Sequence, residues 1–137
     1  MISNLLYISN RNKNCTDLEI ARILESCQRN NKGLDITGVL LYSYTHFVQY
    51  LEGEYKTIIE LYDKIRTDER HRNVAMITTG QIDKRIFPSW QMGAKKVESS
   101  EIKFDTDISE NDVQIFNETI NGYGDNKAID LMKKFFK

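Results

Sequence analysis

Proline, cysteine, histidine and long apolar runs are all scarce in this 137-residue chain, and each scarcity excludes a class of protein. A single proline and seven dispersed glycines leave no linker or low-complexity tract, so one domain is expected. The two cysteines, Cys15 and Cys27, flank one helical pattern and stand too far apart along a helix to bridge. They read as free thiols of a reducing compartment. No apolar stretch approaches membrane-spanning length, and no signal-peptide pattern opens the chain, so a soluble, cytoplasmic protein without membrane contact is expected. Neither sign of charge dominates: 19 basic and 20 acidic residues give a net charge of −1. The densest basic stretch, Arg66 to Arg72, is interrupted by Asp68 and Glu69, which argues against a nucleic-acid footprint. The two histidines, His46 and His71, are isolated, and no Cys/His cluster has metal-ligand spacing, so no metal is expected. Dinucleotide and phosphate-loop glycine patterns and a nucleophile elbow are missing as well. The chain is therefore not expected to be an enzyme.

What is present is strong periodicity. Residues 2–9 read as a strand. Thr16 and Glu19 then form a capping box, and Ile20, Ile23, Leu24 and Cys27 recur at helical spacing. Gly33 fits the cap that ends this helix. Residues 35–43 and 45–52 read as two strands of a tight hairpin, with Gly53 breaking the second. Ile58, Leu61, Tyr62 and Ile65 mark a second helix running to about Asp68. Strand patterns follow at 73–80 and 90–97. Strand, helix, strand, strand, helix, strand, with one further strand, makes an α+β, ferredoxin-like βαββαβ sandwich with both helices on one sheet face. Leu6, Ile8, Val48 and Tyr50 would make the other face too apolar for water. Val113, Phe116, Ile120, Ile129, Met132, Phe135 and Phe136 supply a C-terminal two-helix cap for it. The organisation expected is a core over 1–97 and a helical cap over 98–137 of the same domain.

Three polar residues sit in unusually apolar company. Side chains alternate along a strand, so Gln49 shares a face with Phe47 and Leu51. Tyr7 is surrounded by Leu5, Leu6 and Ile8, and Asn31 lies on the inner stripe of the first helix, four residues after Cys27. A buried amide without partners costs about 1–3 kcal/mol, so such groups need something to bind. A phenol and two amides facing an apolar space could satisfy one another, or could hold a flat, hydrogen-bonding ring such as a flavin.

Five segments, in order and at matching spacing, decide between these. Leu5-Leu6-Tyr7-Ile8-Ser9, Asn30-Asn31 with Ile36-Thr37-Gly38-Val39-Leu40-Leu41-Tyr42, Phe47-Val48-Gln49-Tyr50-Leu51-Glu52-Gly53, Asp68-Glu69-Arg70-His71 and Ser89-Trp90-Gln91-Met92 resemble the BLUF family of flavin-using blue-light sensors. The resemblance covers about residues 1–97. It implies a non-covalent flavin, FAD foremost, with FMN and riboflavin as the other candidates. Ile23 and Ile65 would lie on the faces of the ring, and Asn31, with Asn30 beside it, would bond its polar edge. Asp68 and Arg70 would face the ribityl and pyrimidine side, Lys64 a phosphate, and Met92 would stand near the site. The implied light response starts with Tyr7 giving up an electron, and a proton through Gln49, after which Gln49 reorients or tautomerises. Tyr50, Trp90 and Met92 are the implied signal relay, with Tyr50 facing the cap. Output would pass to a protein effector in trans or through self-assembly. Two other readings of the fold remain: a flavin-free protein-interaction module, and a small acyl-phosphate hydrolase built on Arg11. The hydrolase would need a glycine-rich phosphate cradle that the surroundings of Arg11 lack.

Overall fold

The computed structural model describes residues 2–86 and the strand Gly93–Lys96. Its elements in chain order are β1 (Ile2–Arg11), α1 (Asp17–Leu34), β2 (Thr37–Tyr42), β3 (His46–Glu54), α2 (Tyr55–Arg66), β4 (His71–Ile82) and β5 (Gly93–Lys96). The sheet order is β4-β1-β3-β2-β5. β3 runs antiparallel to both β1 and β2, and β4 antiparallel to β1, while β5 joins β2 in parallel. This is the ferredoxin-like arrangement with one strand added at the β2 edge.

Local chemistry explains the element ends, and in three places corrects the expectation. Thr16 caps α1 as expected, its side chain accepting from the Glu19 N–H at 3.3 Å. The helix does not stop at Gly33, however. It continues to Leu34, and Asp35 closes it in the left-handed region at φ 55°, a conformation that Asp tolerates through its short polar side chain. Gly53 does not break β3, which runs on to Glu54 and passes straight into α2. The absent side chain makes room instead: a Cβ there would lie 3.2 Å from Ile58 Cγ2 and 3.4 Å from Ile36 Cγ1. α2 ends at Arg66 rather than near Asp68, because Thr67 and Asp68 turn their N–H groups back onto the carbonyls of Lys64 and Ile65. The hairpin is tight, with Ser43 N–H bonded to His46 O at 3.0 Å.

Register sorts the side chains. Leu5, Tyr7, Leu40, Tyr42, Phe47 and Leu51 face the helices and join Ile20, Ile23, Leu24, Ile36, Ile58 and Tyr62 in one core cluster. On the opposite face Leu6, Val39, Leu41, Val48 and Tyr50 are buried, and Ile8 is half-buried. Trp90, Met92 and the C-terminal helical cap expected over 98–137 lie outside the described residues.

Candidate functional site

β1 and β3 pair so that Tyr7 stands directly opposite Gln49. The alternation that places each on the helix-facing side therefore also places them side by side. The Tyr7 hydroxyl donates to Gln49 Oε1, and both residues are buried. Withdrawal from water holds the Tyr7 phenol well above its usual range, with Cys27, Asp68 and Tyr62 adding to the effect. It is thus a protonated donor at neutral pH. An amide that accepts through its oxygen carries two N–H donors on the same rotor, so its rotation exchanges donor for acceptor at both ends.

The third buried polar group comes from α1. Asn31 is 1% exposed, and its backbone oxygen accepts both the Asp35 cap N–H and the Ile36 N–H at 3.0 Å. Two bonds on one carbonyl fix the helix end from which the Asn31 side chain projects. Ile23 is buried in the core cluster and Ile65 packs half-buried against it. Asn30 and Lys64 are exposed, so the structure does not bring them into this group.

Beyond α2 the chain turns at Asp68, whose Oδ1 accepts from the Arg70 N–H at 3.0 Å and from Arg70 Nε at 2.9 Å. The Arg70 bonds keep the Asp68 carboxyl below its ordinary range despite partial burial, and Asp68 in turn raises Arg70. Arg70 is accordingly paired and half-buried rather than a solvated charge. His71 follows, with Nδ1 2.9 Å from Ser9 Oγ and its ring 4.6 Å from Phe47 and 6.1 Å from Tyr7. Burial pushes its pKa down to about 4, so it is neutral at physiological pH. Cys27, pushed up by burial to about 11, is a thiol. Tyr62 completes the group, its ring 5.8 Å from that of Tyr7.

Three of these members were under-read in the sequence. His71 looked isolated because Ser9, Phe47 and Tyr7 come to it from other strands. Tyr62 looked like one more stripe residue, and Ser9 carried only its parity with Tyr7. Arg11, the candidate phosphate ligand of the hydrolase reading, is a structural clamp. It donates to the Cys15 and Ser43 carbonyls at 2.8 and 2.9 Å and pairs with Asp17 at 2.9 Å.

The arrangement suits a flat heteroaromatic ring. Among the described residues, α2 comes close to β1, β3 and β4, whereas α1 makes no comparably close backbone approach to α2 or to any strand. The helix-facing side of the sheet carries Tyr7 and Gln49 among aliphatic side chains of the sheet and of α1, and Asn31 is buried near the end of that helix. An isoalloxazine, apolar on its faces and rich in donors and acceptors along one edge, fits that donor set.

Comparison with known proteins agrees. The family model for BLUF, sensors of blue light using FAD, matches residues 2–93. Photoactivated adenylate cyclase subunit beta of Euglena longa is 38% identical over 88 residues, covering 64% of this chain and 10% of that protein. The chain thus spans about a tenth of the length of the curated relatives it matches. The dark-state structure of the BLUF protein BlrB is similar at 32% identity and a TM-score of 0.68, over 71% of this chain and 74% of that one. A bacterial light-regulated adenylyl cyclase matches at 31% identity and a TM-score of 0.70, over 98% of this chain and 37% of the cyclase. The matched region is a sensory module rather than a catalytic one, and its chromophore is a flavin, FAD. By its fold, by its buried tyrosine–glutamine pair and by these matches, the chain belongs to the BLUF family of blue-light sensors.

Proposed function

We propose that Tyr7 and Gln49 carry the light response of this sensor, with Asn31 gripping the polar edge of the ring. The observation that carries the proposal is the buried hydrogen bond from the Tyr7 hydroxyl to Gln49 Oε1. Ile23 and Ile65 supply the apolar walls, and Asp68 and Arg70 stand at the end of the site where the ribityl and pyrimidine groups would lie. Asn30 and Lys64, both exposed, would meet only the outer tail. When bound, the flavin supplies absorption of blue light and an excited state that accepts an electron. Tyr7 is an oxidisable phenol whose proton points at Gln49, so losing an electron and releasing that proton are coupled at one atom. Gln49 passes the proton on and reorients, which rewires two hydrogen bonds without moving the backbone. Each rewired bond is worth about 0.5–1.5 kcal/mol, while reversing a population fully takes about 5.5 kcal/mol. Light therefore has to drive the change, and the protein relaxes in the dark.

BLUF modules pair with effectors, cyclases among them. For this chain we propose a core over 1–97, a helical cap over 98–137, and output through a protein effector in trans or through self-assembly, in the cytoplasm. No helix among the described residues is long and apolar enough to cross a membrane. The test is Gln49→Leu. The swap keeps approximate volume and removes the rotor, so the purified variant should retain its yellow chromophore and lose the reversible red shift under blue light. A wild-type red shift in this variant would show Gln49 to be structural only.

A further inference from the structure

Glu52 is a carboxylate near the end of β3, yet it is 0% exposed. Both its oxygens accept from the Ile86 backbone N–H, at 3.0 and 2.9 Å, and Oε2 also accepts from the Tyr50 hydroxyl at 3.0 Å. Asn4 Nδ2 reaches that hydroxyl at 3.5 Å. Next to Ile86, the Arg85 guanidinium spans three elements. Nη1 donates to Thr37 Oγ1 at 2.8 Å and to the Glu52 carbonyl at 3.1 Å, and these two residues are direct partners in the β2–β3 ladder. Nη2 donates to the Asp35 carbonyl at 2.6 Å and pairs with its carboxylate at 3.1 Å.

Asp35 is the cap of α1, and its N–H is bonded to the Asn31 oxygen. One guanidinium therefore ties the helix end that carries Asn31 to the strand that carries Gln49. Glu52 then ties the same strand to the chain immediately after β4. Tyr50 links the two ideas, because it follows Gln49 in β3 and its hydroxyl binds Glu52 on the opposite sheet face.

We infer that Arg85 and Glu52 are positioning residues that join the two sides of the chromophore pocket to residues 85–86, and so set the lifetime of the light-induced state. The inference rests on the sensor reading above. Neither residue touches the helix-facing side where Tyr7 and Gln49 meet, so neither contributes to the colour change itself. A fork that holds several acceptors at once stiffens their relative motion, and lysine, a single point donor, does not reproduce it. If relaxation in the dark requires β3 and the α1 end to shift relative to one another, removing the fork lowers that barrier. One hydrogen bond lost at a barrier corresponds to a rate change of about threefold to tenfold.

The experiment uses the full flavin-loaded chain and records the red shift, the dark-recovery rate, and light-minus-dark hydrogen exchange over 83–96. Arg85→Ala should keep the red shift, recover about threefold or more faster, and lose the exchange difference. Glu52→Gln, which weakens the hold on Ile86, should move the same two readouts in the same direction. Arg22→Ala, removing an exposed pair with Glu19, should change neither. If Arg85→Ala does not fold, Arg85→Lys takes its place with the same expectation. Wild-type recovery and exchange in the folded Arg85 variant overturn the inference while leaving the sensor reading intact. A wild-type chain that shows no red shift at all overturns both.

Discussion

The neutral His71 ring makes stability depend on pH in a calculable way. Its pKa is about 4 in the folded protein against 6.5 for the ordinary side chain, chiefly because burial disfavours the cation. Between those values the unfolded chain binds a proton that the folded chain refuses, so stability rises with pH across that window. The contribution is fully present above pH 6.5 and is lost progressively as pH falls towards 4. At ~1.4 kcal/mol per pH unit, the loss reaches about 3 kcal/mol, an upper figure because the ring is only partly withdrawn from water. Asp68 sits in the same cluster, but Arg70 holds its carboxyl below its ordinary range, so it stays ionised above pH 4.5. Chemical denaturation at pH 4.5, 5.5, 6.5 and 7.5, followed by circular dichroism, measures the curve. His71→Gln removes the titrating group and keeps a side chain able to bond Ser9 Oγ. Subtracting its curve from that of the wild type cancels the other carboxylates. The difference should change by up to about 2 kcal/mol between pH 6.5 and 4.5, the wild type losing more on acidification. Parallel curves would mean that the ring reaches water or that the unfolded state does not differ from the folded one.

Two further substitutions probe pocket and sheet. Asn31→Ala should weaken flavin binding about tenfold or more, because it strands a buried polar partner, whereas Cys27→Ala on the same helix face should cost less. Equal flavin retention at equal thermal stability, measured by equilibrium dialysis and melting, would refute the role of Asn31. Gly38→Ala would place a Cβ 1.9 Å from the Tyr50 carbonyl oxygen, forcing β2 and β3 apart at the strand that carries Gln49. A loss of about 2 kcal/mol or more is expected, and Gly53→Ala, whose nearest contact would be the movable Ile58 side chain at 3.2 Å, should lose less. Equal denaturation midpoints for the two alanine variants would contradict that ordering.

Periodicity was enough to read the element order, the helix-facing parity of Tyr7 and Gln49, and the inward position of Asn31. Each depends on the local repeat of a strand or helix, which a short segment already contains. The family segments added the chromophore, because their order and spacing record what the pocket binds. What no local pattern holds is register and long-range company. That Tyr7 meets Gln49 directly, and not a neighbour of the same parity, follows from how β1 pairs with β3. Gly53 reads as a breaker until α2 folds back and Ile58 presses on it. His71 reads as an isolated histidine until Ser9 and Phe47 arrive from other strands and dehydrate it. Nothing in the local sequence marks Glu52 or Arg85 for burial, since an ionised side chain is costly to bury unless its partners are supplied. Tyr50 is two residues from Glu52 on the same strand, but Ile86, Thr37 and Asp35 come from other segments of the chain, and only the folded sheet brings them within hydrogen-bond distance.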